Sequence, residues 1–106
     1  MGAILVQQRP SATTNTTLYT VPASYKAAVN IKAINTSTTA SAIRIGIQTA
    51  SGAVSNIDYI VYDYSLPGDG LPLILTGEVL TAGANVFVYT ANATVNFHLS
   101  GEVVAA

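Results

Sequence analysis

The chain has 106 residues, enough for one domain with one core, and it contains no cysteine, which excludes disulfides, thiolate metal sites and a thiol nucleophile. Charged residues make up 8% of it and the net charge is −1, whereas about a quarter of a typical globular sequence is charged. Its four basic residues are scattered and form no stripe, so we expect no nucleic-acid partner. The apolar runs are too short for a membrane span, and residues 3–6 are too short for a signal peptide.

The first sixteen residues differ from the rest of the chain. Residues 2–7 are apolar and predict either a short strand or an arm that lies on a neighbouring molecule, and residues 11–17 are polar and predict a loop or linker. We therefore divide the chain into an N-terminal strand or arm with its linker, residues 1–16, and a domain, residues 17–106. Contact with a partner is predicted for four residues of the arm: Ile4, Leu5, Val6 and Arg9.

From residue 17 onward, short strands alternate with turn-forming residues, and helical periodicity is missing. The clearest strand alternates Ile43, Ile45 and Ile47 with polar or small residues, which predicts one core face and one face in water or on a partner. The pattern as a whole predicts an all-β fold: a single antiparallel β-sandwich, jelly-roll or Ig-like, of seven or eight strands. Other inward positions are predicted at Ala27, Val29, Ile31, Ala33, Val95, Phe97 and Leu99.

Residues 57–80 carry most of the bulky and acidic side chains. A strand over 57–64 is followed by a break at Pro67–Gly70 and by a second strand from Leu73. Because side chains alternate along a strand, Tyr62 should face away from Tyr59 and Asp63. Large residues on both faces predict that this strand is covered on both sides.

The reactive side chains in the sequence do not form a recognisable catalytic set. His98 is the only histidine and is expected on the surface or at an interface, and no Gly-x-Ser-x-Gly motif is present. Alternation separates Asp58 from Asp63, so a calcium site with Asp69 would need a bulge, and stabilisation of its own turn is the favoured role of Asp69. We predict no enzyme, no cofactor and no metal.

The loop over residues 66–72 is then expected to be a rim that contacts a partner. Its candidate contact residues are Leu66, Asp69 and Leu71. Tyr62 and Tyr64 precede the loop, and tyrosine suits protein interfaces as well as sugar-stacking platforms. Two kinds of partner therefore stay open, a protein surface and a carbohydrate.

Several segments together resemble the small β-sandwich virion proteins of tailed bacteriophages. The similarity covers most of residues 17–104 and consists of strand and turn patterns. The segments are Thr17-Leu-Tyr-Thr-Val-Pro-Ala23, Asn35 after its strand, Asp58-Tyr-Ile-Val-Tyr-Asp63, the strand from Leu73 to Leu80 with Leu80-Thr-Ala-Gly83, and the final strand into Gly101.

This resemblance implies a non-enzymatic structural protein located in the virion after synthesis in the host cytoplasm. The expected function is that of a capsid decoration, or cement, protein that stabilises the head by bridging capsid subunits. Its partners would be the major capsid protein or another virion protein, together with further copies of itself, for example in a trimer. The alternative is a tail- or fibre-associated module that binds a receptor or carbohydrate through Tyr62, Tyr64 and Asp69.

Overall fold

The computed structural model describes residues 3–50 and 52–106, with the backbone alone for residues 3–5. These residues form eight strands and a single-turn 3-10 helix, Asn56–Asp58, which precedes the fifth strand. Gly2, where the predicted first strand begins, lies outside the described residues. The strands are β1 (Ala3–Gln8), β2 (Thr16–Thr20), β3 (Tyr25–Asn35), β4 (Ser41–Gln48), β5 (Tyr59–Leu66), β6 (Leu73–Leu80), β7 (Asn85–Thr90) and β8 (Val95–Ala105).

The strands form two antiparallel sheets of four, which confirms the predicted β-sandwich. One sheet has the order β1-β8-β3-β6 and the other β2-β7-β4-β5. The pairs β1·β8, β2·β7, β3·β6 and β4·β5 are those made when one long hairpin is rolled up, which is the jelly-roll arrangement. Of the two predicted sandwich types, the strand order therefore selects the jelly roll over the Ig-like fold.

The core lies between the sheets and is almost entirely aliphatic. The predicted inward sets on β3, β4 and β8 all face it, with Ile47 only partly buried. Because these residues alternate with polar or small ones, one face of each strand is apolar and the sandwich closes over it. The largest fully buried core side chains are Phe97, Ile31, Ile43, Ile45, Leu66, Leu99, Val21, Val29, Val86, Val88 and Val95.

The first strand belongs to the sandwich. β1 pairs with β8 from Ala3↔Gly101 to Gln8↔Phe97, and Val6 packs against the core. The Thr13 N–H, in the segment predicted as a linker, donates to the Thr90 carbonyl at 2.8 Å. A boundary between residues 16 and 17 therefore does not separate an arm from a domain.

The strand predicted to be covered on both faces is an edge strand. Among the described residues, β4 is the one strand that pairs with β5, and most residues of β5 are exposed. β5 is at an edge because of the jelly-roll connectivity. The chain leaves one sheet after β5, and residues 67–72 lead to β6 at the edge of the other sheet. Both strands lie on the side of the sandwich opposite β1 and β2.

Both of these edge strands contain bulges. Ile43 pairs with Tyr64 and Ile45 pairs with Val61, so two residues along β4 correspond to three along β5. β5 therefore carries an extra residue there. Asp63 at this bulge has φ 50°, a left-handed conformation that Asp tolerates better than most residues. A second register shift leaves Ile60 as another extra residue in β5, and a third, in β6, contains Gly77 with φ 76°.

Asn35 is buried at one end of the sandwich and joins three loops. Its Nδ2 donates to the Thr39 carbonyl at 2.8 Å and more weakly to the Leu66 carbonyl at 3.4 Å. Its Oδ1 accepts from the Ser37 N–H at 3.0 Å and from the Thr94 hydroxyl at 2.9 Å. This residue therefore holds the β3–β4, β5–β6 and β7–β8 connections together.

Candidate functional site

The predicted N-terminal contact residues lie in and beside β1. The side chains of Ile4 and Leu5 are outside the described part of the structure. Val6 is partly buried against the core. Arg9 is exposed, and its guanidinium donates to Asn96 Oδ1 at 2.7 Å and to Thr36 Oγ1 at 3.2 Å. These contacts hold Arg9 against the domain itself.

The predicted contact residues around the β5–β6 loop divide into exposed and buried. Tyr62, Tyr64 and Leu71 are exposed by 56%, 44% and 61%. Asp69 is exposed, and its backbone N–H donates to the Ser37 carbonyl at 3.0 Å. Leu66 is only 1% exposed, because β5 ends by turning this side chain into the core, so its prediction as a contact residue is wrong.

An arginine on the outer face of the β2-β7-β4-β5 sheet lies between two tyrosines. The Arg44 guanidinium carbon is 4.5 Å from the ring centroid of Tyr62 and 4.4 Å from that of Tyr89. Its Nε donates to Asp63 Oδ1 at 2.6 Å, and its Nη2 makes a longer contact of 3.4 Å with Oδ2. The hydrogen bond that Arg44 donates to the Asp63 carboxylate raises the pKa of Arg44 above its usual range. Stacking and the two-point ion pair fix this side chain.

The bulge in β5 produces this cluster. Tyr62 and Asp63 are consecutive and would face opposite sides of a regular strand, yet both contact Arg44. Tyr59 and Tyr62 also meet, with ring centroids 4.9 Å apart and an edge-to-face angle of 73°. The predicted separation of Tyr62 from Tyr59 and from Asp63 is therefore wrong, because two register shifts interrupt the alternation.

A buried phenylalanine supports Tyr59 from below. Phe87 is 2% exposed although it lies on the outer face of the sheet, opposite Gly46 in the neighbouring strand. A Cβ at position 46 would overlap the Phe87 ring, so glycine is what lets the ring lie on the sheet. Tyr59 packs edge-to-face on Phe87 with ring centroids 5.5 Å apart. Packing on this buried ring therefore restrains Tyr59 within the aromatic cluster.

A chain of buried side-chain amides anchors the loop between β4 and β5. Asn85 Nδ2 donates to Gln48 Oε1 at 2.9 Å, and the Thr20 hydroxyl donates to Asn85 Oδ1 at 2.8 Å. Gln48 Nε2 in turn donates to the carbonyls of Gly52 and Ala53 at 3.1 and 3.3 Å. Strands β2, β7 and β4 therefore hold the loop that leads to Asn56.

Beside the aromatic cluster lies an open cleft of about 330 Å³ lined by Asn56, Tyr59 and Tyr62, which we call the tyrosine cleft. The 3-10 helix positions Asn56 in it. Asp58 fixes this turn, since its carboxylate accepts from the Ser55 N–H at 2.8 Å and its own N–H donates to the Ser55 carbonyl at 3.0 Å. The cleft thus combines two aromatic rings with an amide.

A second open cleft, of about 310 Å³, lies on the other sheet. It is lined by Gln7, Gln8, Arg9, Asn96 and His98. His98 is half-buried on β8 and pairs with Gln7 on one side and Lys32 on the other. The hydrogen bond from Arg9 to Asn96 spans the cleft lining.

The acidic residues of the central segment are separated by their contacts. Asp58 fixes the 3-10 turn, Asp63 pairs with Arg44, and Asp69 lies in the β5–β6 loop. Within residues 3–50 and 52–106, no group of three or more His, Cys, Asp or Glu is arranged to hold a metal ion. In the same residues, no helix is long and apolar enough to cross a membrane.

Exposed apolar side chains concentrate along the side of the sandwich formed by β5 and β6. Of the nine large hydrophobic residues that are exposed in the described part of the chain, seven lie between residues 57 and 80. We call them the β5–β6 edge. They are Ile57, Ile60, Tyr62, Tyr64, Leu71, Ile74 and Val79.

Sequence reasoning identified Tyr62 but missed its neighbours in the cluster. Arg44 counted only as one of several scattered cations, although its place between two core isoleucines already put it on the outer face. The pairing of Phe87 with Gly46 depends on the register of β4 against β7, which local patterns do not contain. Nothing in the sequence marked Asn56 as more than a loop residue or Tyr59 as more than a strand residue.

Comparison of the chain with protein-family models, curated proteins and solved structures finds no match.

Proposed function

We propose that this chain is a non-enzymatic virion protein that decorates the head of a tailed phage and stabilises it by bridging capsid subunits. The observation that carries the proposal is the β5–β6 edge, where the exposed large hydrophobic residues collect on one side of the domain. A concentration of exposed apolar side chains in one region of a domain is typical of protein interfaces. Viral capsid domains are among the proteins that use the jelly roll, although a fold alone does not define a function.

The charge distribution suits repeated packing on a shell. The chain has nine charged residues and a net charge of −1, so neighbouring copies repel one another weakly. On the β5–β6 edge, the charge of Asp63 is balanced by Arg44. An apolar surface of this kind would be covered by a protein partner such as the major capsid protein.

Docking would occur through side chains rather than by addition of a strand. Edge strands that accept another strand are long and regular, and bulges protect against such pairing. Both strands of this edge are interrupted, at Ile60 and Asp63 in β5 and at Gly77 in β6. A partner would therefore contact the tyrosine and aliphatic side chains and leave the backbone edge unextended.

Binding to heads tests the proposal. The purified chain is sedimented with emptied, expanded heads of the phage that encodes it, and head melting is followed by calorimetry. We expect saturable binding at a fixed ratio to the capsid protein and a higher melting temperature of the heads. Absence of binding to heads, with binding to tails, fibres or host cells instead, would refute decoration.

A matched pair of variants locates the docking surface. Ile74→Thr with Val79→Thr removes exposed apolar groups from β6 while keeping β-branched residues, and should weaken head binding by about tenfold or more. Gln7→Thr, on the opposite edge strand, should bind normally. Deletion of residues 1–16 is a poor test, since it removes β1 from its sheet.

We further propose that the chain assembles as a homo-oligomer, and a cyclic trimer is one example of the closed symmetry that most soluble homo-oligomers have. Size-exclusion chromatography with light scattering at increasing concentration measures the mass. A monomer at every concentration would contradict a preformed oligomer, and head binding would then be measured for the monomer.

A further inference from the structure

The tyrosine cleft differs in chemistry from the aliphatic part of the β5–β6 edge. It places two aromatic rings beside the Asn56 amide, and its volume of about 330 Å³ is at the lower end of small-ligand sites. We propose that this cleft binds a neutral saccharide. The proposal is separate from head decoration: the ligand is different, and Tyr62 is the one residue of the cleft that also belongs to the β5–β6 edge.

The aromatic part of the cleft is organised before any ligand binds. Tyr59 is held edge-to-face between Tyr62 and the buried Phe87, at 4.9 and 5.5 Å between centroids. Tyr62 is contacted on its ring by Arg44 at 4.5 Å, yet it stays 56% exposed. A pyranose presents an apolar patch of C–H groups, which packs on tyrosine with little loss of side-chain freedom.

Polar groups border the aromatic rings. The Asn56 side chain makes no hydrogen bond within the described part of the chain, so its amide can both donate to and accept from sugar hydroxyls. The loop that carries it is tied down by Gln48 at Gly52 and Ala53. Aromatic surface with an amide at its border matches the alternating apolar and hydroxyl surface of a sugar.

Local charge favours a neutral sugar over an acidic one. The only cation of the cluster, Arg44, is paired with Asp63 through two of its nitrogens. The Asp58 carboxylate lies two residues from Asn56 and adds negative charge near the cleft. A sialylated or sulfated glycan would therefore meet repulsion rather than an uncompensated positive charge.

Binding is tested with an array of neutral glucose, galactose and mannose oligosaccharides together with sialylated and sulfated ones. The neutral glycan with the strongest signal is then titrated into ¹⁵N-labelled protein and followed by NMR. We expect chemical-shift changes at Asn56, Tyr59 and Tyr62 and none at the β6 residues.

Variants separate stacking from a general surface effect. Tyr62→Ala should lower the affinity by about tenfold or more, whereas Tyr62→Phe, which keeps the ring, should stay within about threefold of the original. Asn56→Ala should lose about three- to tenfold through its hydrogen bonds. Tyr25→Ala is the matched control, since Tyr25 is an exposed tyrosine outside the cleft, and it should bind normally.

Three results would overturn the proposal. They are no binding of any neutral saccharide at millimolar concentration, binding of acidic glycans alone, and unchanged affinity in a folded Tyr62→Ala variant. Melting curves of each variant establish that it is folded. Ile74→Thr with Val79→Thr should bind the saccharide normally, so loss of head docking and loss of sugar binding are distinguishable.

Discussion

Replacement of Asn35 by alanine should be among the most damaging single changes in this domain. Asn35 is fully buried, and three of its hydrogen bonds are 2.8–3.0 Å long, to the Thr39 carbonyl, the Ser37 N–H and the Thr94 hydroxyl. At about 1 kcal/mol net for each bond, the loss is about 3 kcal/mol, and the weak 3.4 Å contact to Leu66 adds little. That is a large part of a total stability of about 5–15 kcal/mol.

Thermal unfolding followed by circular dichroism measures the effect. For a domain of this size, each kcal/mol shifts the melting temperature by roughly 4–8 °C, so Asn35→Ala should melt about 12–24 °C lower. Asn92→Ala is the control, because Asn92 is exposed and its side chain makes no hydrogen bond in the described part of the chain, and it should change stability by less than about 0.5 kcal/mol. A loss below about 1 kcal/mol for Asn35→Ala would refute the role assigned to this residue.

Asn35→Asp separates hydrogen bonding from packing. The new carboxylate would keep one acceptor oxygen but direct the other at the carbonyls of Thr39 and Leu66, so the variant folds best with a protonated carboxyl. Burial raises the pKa of such a group in the folded state above its unfolded value near 4, so the folded state binds the proton more tightly. Stability should then fall as pH rises above about 4, relative to the original chain. If the stability of Asn35→Asp relative to the original chain were the same at pH 4 and pH 7, the assignment of the Asn35 amide as donor to these carbonyls would be contradicted.

Three further predictions test the packing. Gly46→Ala should destabilise the fold by about 1–3 kcal/mol, measured by urea unfolding, because the new methyl group overlaps the Phe87 ring. An unchanged urea midpoint would show that the ring does not lie on this glycine. Leu66→Ala should cost about 2–5 kcal/mol, whereas Leu71→Ala should cost less than about 0.5 kcal/mol, and similar losses for both would contradict their opposite burial. Gln48→Ala should cost about 1–3 kcal/mol and speed proteolysis between residues 49 and 58, and a loop that stays protected would show that other contacts hold it.

The two proposed surfaces overlap at Tyr62 but use different chemistry. The aliphatic residues of β6 suit a protein surface, because burying them releases water without demanding polar partners. The tyrosine cleft suits a ligand that offers both apolar and hydroxyl groups.

The sequence by itself determined the fold class and most of the core. Val29, Ile31, Ile45 and Phe97 face inward as predicted, because a period of two along a strand allows one apolar face, and burying that face drives two sheets together. Turn-forming residues between the strands marked where the chain reverses. These are local signals, and they agree with the tertiary structure wherever the strands are regular.

Tertiary structure alone decided the order of the strands and the composition of the candidate site. Strand order and register depend on contacts between distant residues, such as Gly46 with Phe87, so local patterns left jelly-roll and Ig-like sandwiches equally open. The bulges in β5 turned Tyr62 and Asp63 toward the same arginine, where strict alternation had separated them. A bulge is set by pairing with the neighbouring strand, and this is why the site could not be assembled from the sequence.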